Sequence, residues 1–104
     1  MGLIAAFFDR ECTIRPFLRM GGGEPVYGPD EMRPCRLEDG KHIRTTYKNP
    51  SGQIDQVEAR AKLFCEGEEI PTSSIITCDG KSYIVVDCHG ARGFSLNHQE
   101  AYLM

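Results

Sequence analysis

The side chains best suited to chemistry in this sequence are five cysteines and three histidines. The cysteine count is odd, and no two cysteines are separated by two residues, so the usual spacing of a zinc site is absent. Each cysteine falls in a strand-like run, often at an apolar position of the alternation. We therefore expect no metal site, and we interpret the cysteines as reduced, buried thiols that act as small hydrophobes: Cys12, Cys35, Cys65, Cys78 and Cys88.

Cys88 stands beside His89, a pairing that resembles a thiol nucleophile and its base. Neighbours along a strand point to opposite faces, so we do not expect these two side chains to hydrogen-bond. The sequence has no G-x-S-x-G motif, no P-loop and no paired-carboxylate signature. The glycines at 21–23 are followed by neither a helical pattern nor a Lys-Ser/Thr pair. We therefore expect no catalytic residues, no cofactor and no enzymatic activity.

The net charge of −3 is distributed unevenly. Residues 41–62 carry five basic and two acidic side chains, a net charge of +3 that leaves −6 for the rest of the chain. Such a patch is either a solvated face or a surface that meets a polyanion. The tyrosines and phenylalanines form no cluster on which bases would stack, so a stand-alone nucleic-acid-binding module is kept only as an alternative.

The longest apolar run, LIAAFF at residues 3–8, is too short to span a bilayer. It also lacks a basic leader and a cleavage site, so we expect a protein that is made in, and stays in, a cytoplasm. Leu3 and Phe7 are four residues apart, as are Ile4 and Phe8, which predicts a short N-terminal helix over residues 2–8. The length suits one domain, residues 1–104.

The clearest pattern in the sequence lies between residues 41 and 65. From Val57 to Cys65 every odd position is apolar, and the even positions are charged except for Phe64, which predicts a half-buried strand. HIRTTYK, residues 42–48, also alternates, and Asn49-Pro50-Ser51-Gly52 fits a type I turn. These residues are interpreted as one long β-hairpin, which is either an arm that reaches a neighbour or two long core strands.

The other elements are also predicted strands. Residues 11–19 alternate with period two, and Pro16 predicts an edge or a bulge there. The glycine-rich stretch 21–25 predicts a turn, and Asp79-Gly80 predicts a second hairpin. The sequence thus predicts an all-β protein, a small β-barrel of about six antiparallel strands with a long protruding hairpin and a short N-terminal helix.

The order of these elements resembles the small head–tail connector proteins of tailed phages and prophages, also called minor capsid, head-completion or stopper proteins. The similarity is carried by the succession of EPVYGPDEMRPCRL, RTTYKNPSGQID, IPTSSIITCDGKSYIVVDC and HQEAYLM, and it spans nearly the whole chain. The family's recurrent pattern falls on Ile70, Pro71, Ile75, Asp79, Gly80, Tyr83, Val85, His98, Glu100, Tyr102 and Leu103.

This resemblance implies a structural protein of the virion neck, made in the bacterial host cytoplasm. It implies a ring, expected to be dodecameric, beneath the portal and adaptor proteins and next to tail-completion proteins, with packaged double-stranded DNA in its channel and no membrane contact. The family's long loop faces that channel. Carried onto this chain, the channel-facing residues are Lys41, His42, Arg44, Lys48, Asn49, Pro50, Ser51, Gly52 and Gln53. A stopper is the first expectation, and a tail-completion (terminator) protein of the same neck is the alternative.

Overall fold

The computed structural model describes residues 8–93 and 96–104, and every regular element in these ranges is a β-strand. The predicted N-terminal helix falls almost wholly on residues 1–7, outside the described residues. Within the described ranges, no helix has the length and apolar character needed to cross a membrane. The eight strands are β1 (Arg10–Arg15), β2 (Phe17–Gly21), β3 (Glu24–Tyr27), β4 (Glu31–Lys48), β5 (Ile54–Cys65), β6 (Ile75–Cys78), β7 (Lys81–Gly93) and β8 (Leu96–Leu103).

Six of the strands form one antiparallel sheet in the order β1-β4-β5-β8-β7-β6. Strand β1 pairs with β4 through Cys12↔Arg33 and with β6 through Thr13↔Thr77, so the pairing order returns to its starting strand. We call this unit the closed sheet. The prediction of an all-β chain with about six antiparallel strands is confirmed, and β2 with β3 forms a separate two-stranded sheet.

Pro16 divides the strand that the alternation predicted over residues 11–19. Strand β1 ends at Arg15 and β2 begins at Phe17, because proline has no N–H to donate to a ladder. The carbonyl of Pro16 accepts a hydrogen bond from the Gly28 N–H at 2.8 Å, which brings the ends of the small sheet together. The predicted turn at 21–25 is shorter than expected, since β3 already begins at Glu24.

The interior of the closed sheet is filled by alternate side chains from its strands. The predicted alternation of β5 is confirmed: Ala59, Ala61, Leu63 and Cys65 are fully buried. Tyr83 is the largest fully buried side chain. Tyr83 belongs to the same buried cluster as Ala61, Leu63 and Cys65, as expected for a narrow closed sheet whose interior is packed with side chains.

The cysteines are buried, as predicted, but they are not all reduced. Cys12 and Cys35 are joined by a disulfide, while Cys65, Cys78 and Cys88 are free. The expectation of five reduced thiols is therefore wrong for one pair. Cys12 and Cys35 lie 23 residues apart in the sequence on paired strands, a proximity that spacing alone does not reveal.

The long hairpin is confirmed, and it is longer than predicted at its base. Strand β4 pairs with β5 from Cys35↔Cys65 to Lys48↔Ile54, with a register shift between Asp39 and Ile43. Beyond this shift, the two strands pair only with each other among the described residues. We call residues 43–59 the arm.

The arm ends in the turn that the sequence predicted. The N–H of Gly52 donates to the carbonyl of Asn49 at 2.9 Å, which closes a four-residue turn. The Asn49 side-chain oxygen also accepts hydrogen bonds from the backbone N–H groups of Ser51 and Gln53, each at 3.0 Å. Gly52 has a φ of 90°, a conformation that glycine adopts without strain.

Candidate functional site: the arm and the cleft beside it

The arm has one exposed face and one half-buried face. On β4 the even-numbered residues His42, Arg44, Thr46 and Lys48 are exposed, whereas the odd-numbered Ile43, Thr45 and Tyr47 are half-buried. This alternation follows from the period of two in a β-strand. The exposed face is polar on β4, and on β5 it also carries Ile54, which lies opposite Lys48 and is 65% exposed. The other face of β4 is half-buried.

A hydrogen bond ties the arm to the closed sheet. The hydroxyl groups of Tyr47 and Ser73 lie 2.8 Å apart. Ser73 is only 6% exposed, and its N–H donates to the carbonyl of Val85 on β7 at 2.7 Å. The end of the arm is therefore held against the segment between β5 and β6. The prediction of a protruding hairpin needs this correction: the arm pairs beyond the other strands of the closed sheet, but it also contacts the body.

A cleft of about 630 Å³ lies between the arm tip and the body. The tip contributes Lys48, Asn49 and Pro50, and the opposite wall comes from residues 69–73 together with residues of β2 and β7. Leu18 on β2 lines the cleft with 55% of its surface exposed. The cleft thus combines apolar surface with both signs of charge, because its lining includes Lys48, Glu69 and Asp87.

The predicted site residues lie along one hairpin, but some of the basic ones are next to acidic side chains. Asn49 to Gln53 form the tip, and Arg44 and Lys48 lie on the exposed face of the arm. Lys41 precedes the arm and pairs with Glu38 at 3.1 Å, and the His42 ring lies 3.2 Å from Glu58.

The positive charge of residues 41–62 is concentrated at the base of the arm. Within the arm itself, Arg44 and Lys48 are matched by Asp55 and Glu58, so its formal charge is zero. Arg44 also lies directly opposite Glu58 in the strand register. The basic residues that exceed this balance are Lys41, Arg60 and Lys62, of which Lys41 and Lys62 form ion pairs with Glu38 and Glu100.

A polar cluster fixes the root of the arm. The Arg60 guanidinium lies 4.5 Å from the centre of the Tyr83 ring, and Lys81 lies 3.6 Å from the Asp39 carboxylate. The pKa of Asp39 is lowered, first by the hydrogen bond that its side chain accepts from the Gly40 N–H and then by the charge of Lys81. Burial raises the pKa of Tyr83, whose hydroxyl is within 3.5 Å of Asp39. These contacts anchor the arm where it leaves the closed sheet.

Cys88 and His89 do not form a nucleophile–base pair. The Cys88 thiol accepts a hydrogen bond from the Ile70 N–H at 3.4 Å, and burial raises its pKa to about 11. His89 packs instead against the ring of Tyr102 at 5.6 Å. The two side chains occupy different surroundings, as strand alternation predicted.

Sequence reasoning missed Arg33, which binds the segment that follows β5. Its guanidinium donates to the carbonyls of Glu66 and Glu68 at 3.1 and 2.7 Å and pairs with Glu31 at 2.7 Å. Arg33 is two residues before the buried Cys35 on β4, and residues two apart on a strand share a face. This spacing could have predicted that the Arg33 side chain lies on the inner face.

Sequence reasoning also missed a polar cluster around Glu100. Its carboxylate lies 2.8 Å from the Lys62 ammonium and 3.0 Å from the His98 ring. Lys62 and Glu100 come from neighbouring strands, since Phe64 of β5 is opposite Glu100 of β8. Two charged residues on separate predicted strands carry no sequence signal for this contact, because it depends on the pairing of β5 with β8.

No protein-family model matches the chain, and no curated protein matches it.

Proposed function

We propose that the chain is a structural, non-enzymatic head–tail connection protein of a tailed phage or prophage, of the stopper type. The observation that carries the proposal is the arm, residues 43–59, which extends beyond the closed sheet and keeps one face exposed. The connector resemblance of the sequence implies a small barrel with a long loop directed to a channel. The closed sheet with its arm is compatible with that arrangement.

The edges of the arm support assembly into a ring. Residues 43–48 and 54–59 pair only with each other in the described part of the chain, so the outer edge of each strand presents main-chain donors and acceptors. Such edges form intermolecular sheets. Ile54, 65% exposed on β5, adds apolar surface to this edge. In the proposed ring, neighbouring copies bind through these edges beneath the portal and adaptor proteins.

The arm's charge balance favours a steric rather than an electrostatic stop. Since Arg44 and Lys48 are balanced by Asp55 and Glu58, a ring of arms would not carry a large net positive charge. The tip contains Asn49, Pro50, Ser51, Gly52 and Gln53, whose neutral side chains allow several copies to meet without repulsion. In the proposal these tips converge in the channel and obstruct packaged double-stranded DNA, and Arg44 and Lys48 contact phosphates.

The proposal is tested by shortening the tip in the phage or prophage that encodes the chain. Deletion of residues 48–53 removes no buried core residue, so we expect the protein to fold and particles to package DNA and then lose it. The matched control replaces 48–53 with Gly and Ser at unchanged length, which separates tip length from tip chemistry. Nuclease-accessible DNA per head is the measurement.

Other outcomes would assign another role. Full heads that retain their DNA but lack tails would favour the tail-completion alternative. Tight, salt-sensitive DNA binding by the free chain would favour a nucleic-acid-binding module. Unfolding of the deletion variant, seen by circular dichroism, would show that residues 48–53 belong to the core and would contradict an arm.

A further inference from the structure

Three inward-facing cysteines meet inside the closed sheet. Cys12 on β1, Cys35 on β4 and Cys78 on β6 are each at most 1% exposed, and their sulfur atoms all lie within 4.8 Å of one another. Cys12 and Cys35 form the disulfide, and Cys78 is a free thiol. A disulfide thus has a third sulfur nearby, and thiol–disulfide exchange begins with the attack of such a thiolate on a disulfide sulfur.

The strand order makes Cys12 the central member of this trio. Strand β1 lies between β4 and β6, and continuing the register Thr13↔Thr77 by one residue sets Cys12 opposite Cys78. Directly opposite residues of antiparallel strands have Cα atoms about 4.5–5.5 Å apart, a separation that a disulfide spans. Cys35 and Cys78 lie on strands separated by β1, about 9–10 Å apart, which exceeds that reach.

We propose that Cys78 exchanges with the Cys12–Cys35 disulfide, so that one covalent link alternates between the β1–β4 and β1–β6 pairs. The Cys78 thiolate attacks the sulfur of Cys12, the Cys12–Cys78 bond forms, and the Cys12–Cys35 bond breaks. Cys35 leaves as the thiolate and takes up one proton from water, balancing the proton that Cys78 released. The step consumes no oxidant or reductant.

The surroundings of Cys78 affect how readily its thiolate forms, and the position of Cys78 in the chain sets the size of the loop that the new disulfide would close. Burial, and after it the charge of Asp79, raise the pKa of the Cys78 thiol, and the Arg10 guanidinium partly offsets them by favouring the thiolate. The exchanged link would join residues much farther apart in sequence than the 23-residue separation of Cys12 and Cys35. It would enclose β2 to β5, and therefore the whole arm, in one covalent loop.

The test maps the disulfides of the purified full-length chain after equilibration in a glutathione redox buffer and quenching in acid. Peptide mass spectrometry of the wild type should find both Cys12–Cys35 and Cys12–Cys78 links and no Cys35–Cys78 link. On oxidation, Cys35→Ala should lose two hydrogens and form Cys12–Cys78. Cys12→Ala should form no link between Cys35 and Cys78. Cys88→Ala, which removes a free buried cysteine on β7, a strand that pairs with neither β1 nor β4, should keep both links.

Two results would overturn the proposal. One is a wild-type map that contains the Cys12–Cys35 link and no Cys12–Cys78 link. The other is one equivalent of tightly bound metal in the purified protein, because the three sulfurs would then act as ligands. The wild-type map gives an answer even if a variant fails to fold.

Discussion

The hydroxyl groups of Tyr47 and Ser73, 26 residues apart in the sequence, lie 2.8 Å from each other and join the arm to the body. Tyr47 is near the tip of the arm, and Ser73 is a buried residue between β5 and β6. The arm therefore has a rest position against the closed sheet. Movement of the arm towards a partner requires this bond to break, at a cost of about 1 kcal/mol for one neutral hydrogen bond.

Replacing Tyr47 with phenylalanine should release the arm without unfolding the protein. The ring is kept and one hydrogen bond is lost, so we expect a loss of about 1 kcal/mol or less in global stability. Amide hydrogen exchange of residues 43–59 should become faster, because the arm opens locally more often. Tyr27→Phe on β3 is the matched control and should leave arm exchange unchanged. Equal exchange in Tyr47→Phe and wild type would show that the hydroxyl pair does not hold the arm.

Replacing Arg33 with methionine should destabilise the fold by about 2 kcal/mol. Methionine keeps an unbranched apolar side chain but loses the hydrogen bonds to the carbonyls of Glu66 and Glu68, and bonds from charged donors contribute about 1.5–3 kcal/mol. Urea unfolding followed by circular dichroism measures the change. Arg19→Met, at an exposed position of β2, is the control. Similar midpoints for the two variants would mean that Arg33 does not secure the segment after β5.

The contacts of Glu100 should make stability fall in acid. Burial raises the pKa of Glu100, but the hydrogen bonds from Lys62 and His98 outweigh burial and leave the pKa below its ordinary value of 4.5. A carboxyl whose pKa is lower in the folded than in the unfolded state stabilises the fold above the unfolded pKa. This contribution is lost as the pH falls through the folded pKa.

Glu100→Gln should therefore reduce the slope of unfolding free energy against pH between about pH 5 and pH 3. Lys62→Met should reduce the same slope, since it removes the ammonium 2.8 Å from the carboxylate. The double variant should show less than the sum of the two effects, because both substitutions remove one interaction. If neither substitution changes the slope, the contact between Lys62 and Glu100 does not contribute to the loss of stability in acid.

Cys88 should resist alkylation in the folded protein. Burial raises its pKa to about 11, so about one thiol in a thousand is ionised at pH 8. The thiolate is the reactive form, and the side chain is also 9% exposed at most. Iodoacetamide labelling followed by peptide mass spectrometry should show Cys88 unmodified in native buffer and modified in urea. Rapid native labelling would mean that the cleft beside the arm opens readily.

Periodicity and turn chemistry alone determined the local elements of this protein. The alternation from Val57 to Cys65 gave β5 and its buried face, and Asn49-Pro50-Ser51-Gly52 gave the turn at the arm tip. Asp79-Gly80 likewise separates β6 from β7. These features are local because each depends on backbone preferences and on a side-chain period of two within a few residues.

Only the tertiary structure decided which distant residues meet. The sheet closes between segments that are far apart in sequence. The same is true of the contact between Tyr47 and Ser73, of the hydrogen bonds of Arg33, and of the three neighbouring cysteines, Cys12, Cys35 and Cys78. An alternating strand has the same pattern whichever neighbour it pairs with, so the pattern specifies a face but not a partner. The partner is set by the packing of all six strands around one interior. The same packing brought Lys62 of β5 to Glu100 of β8, an ion pair that no local pattern predicts.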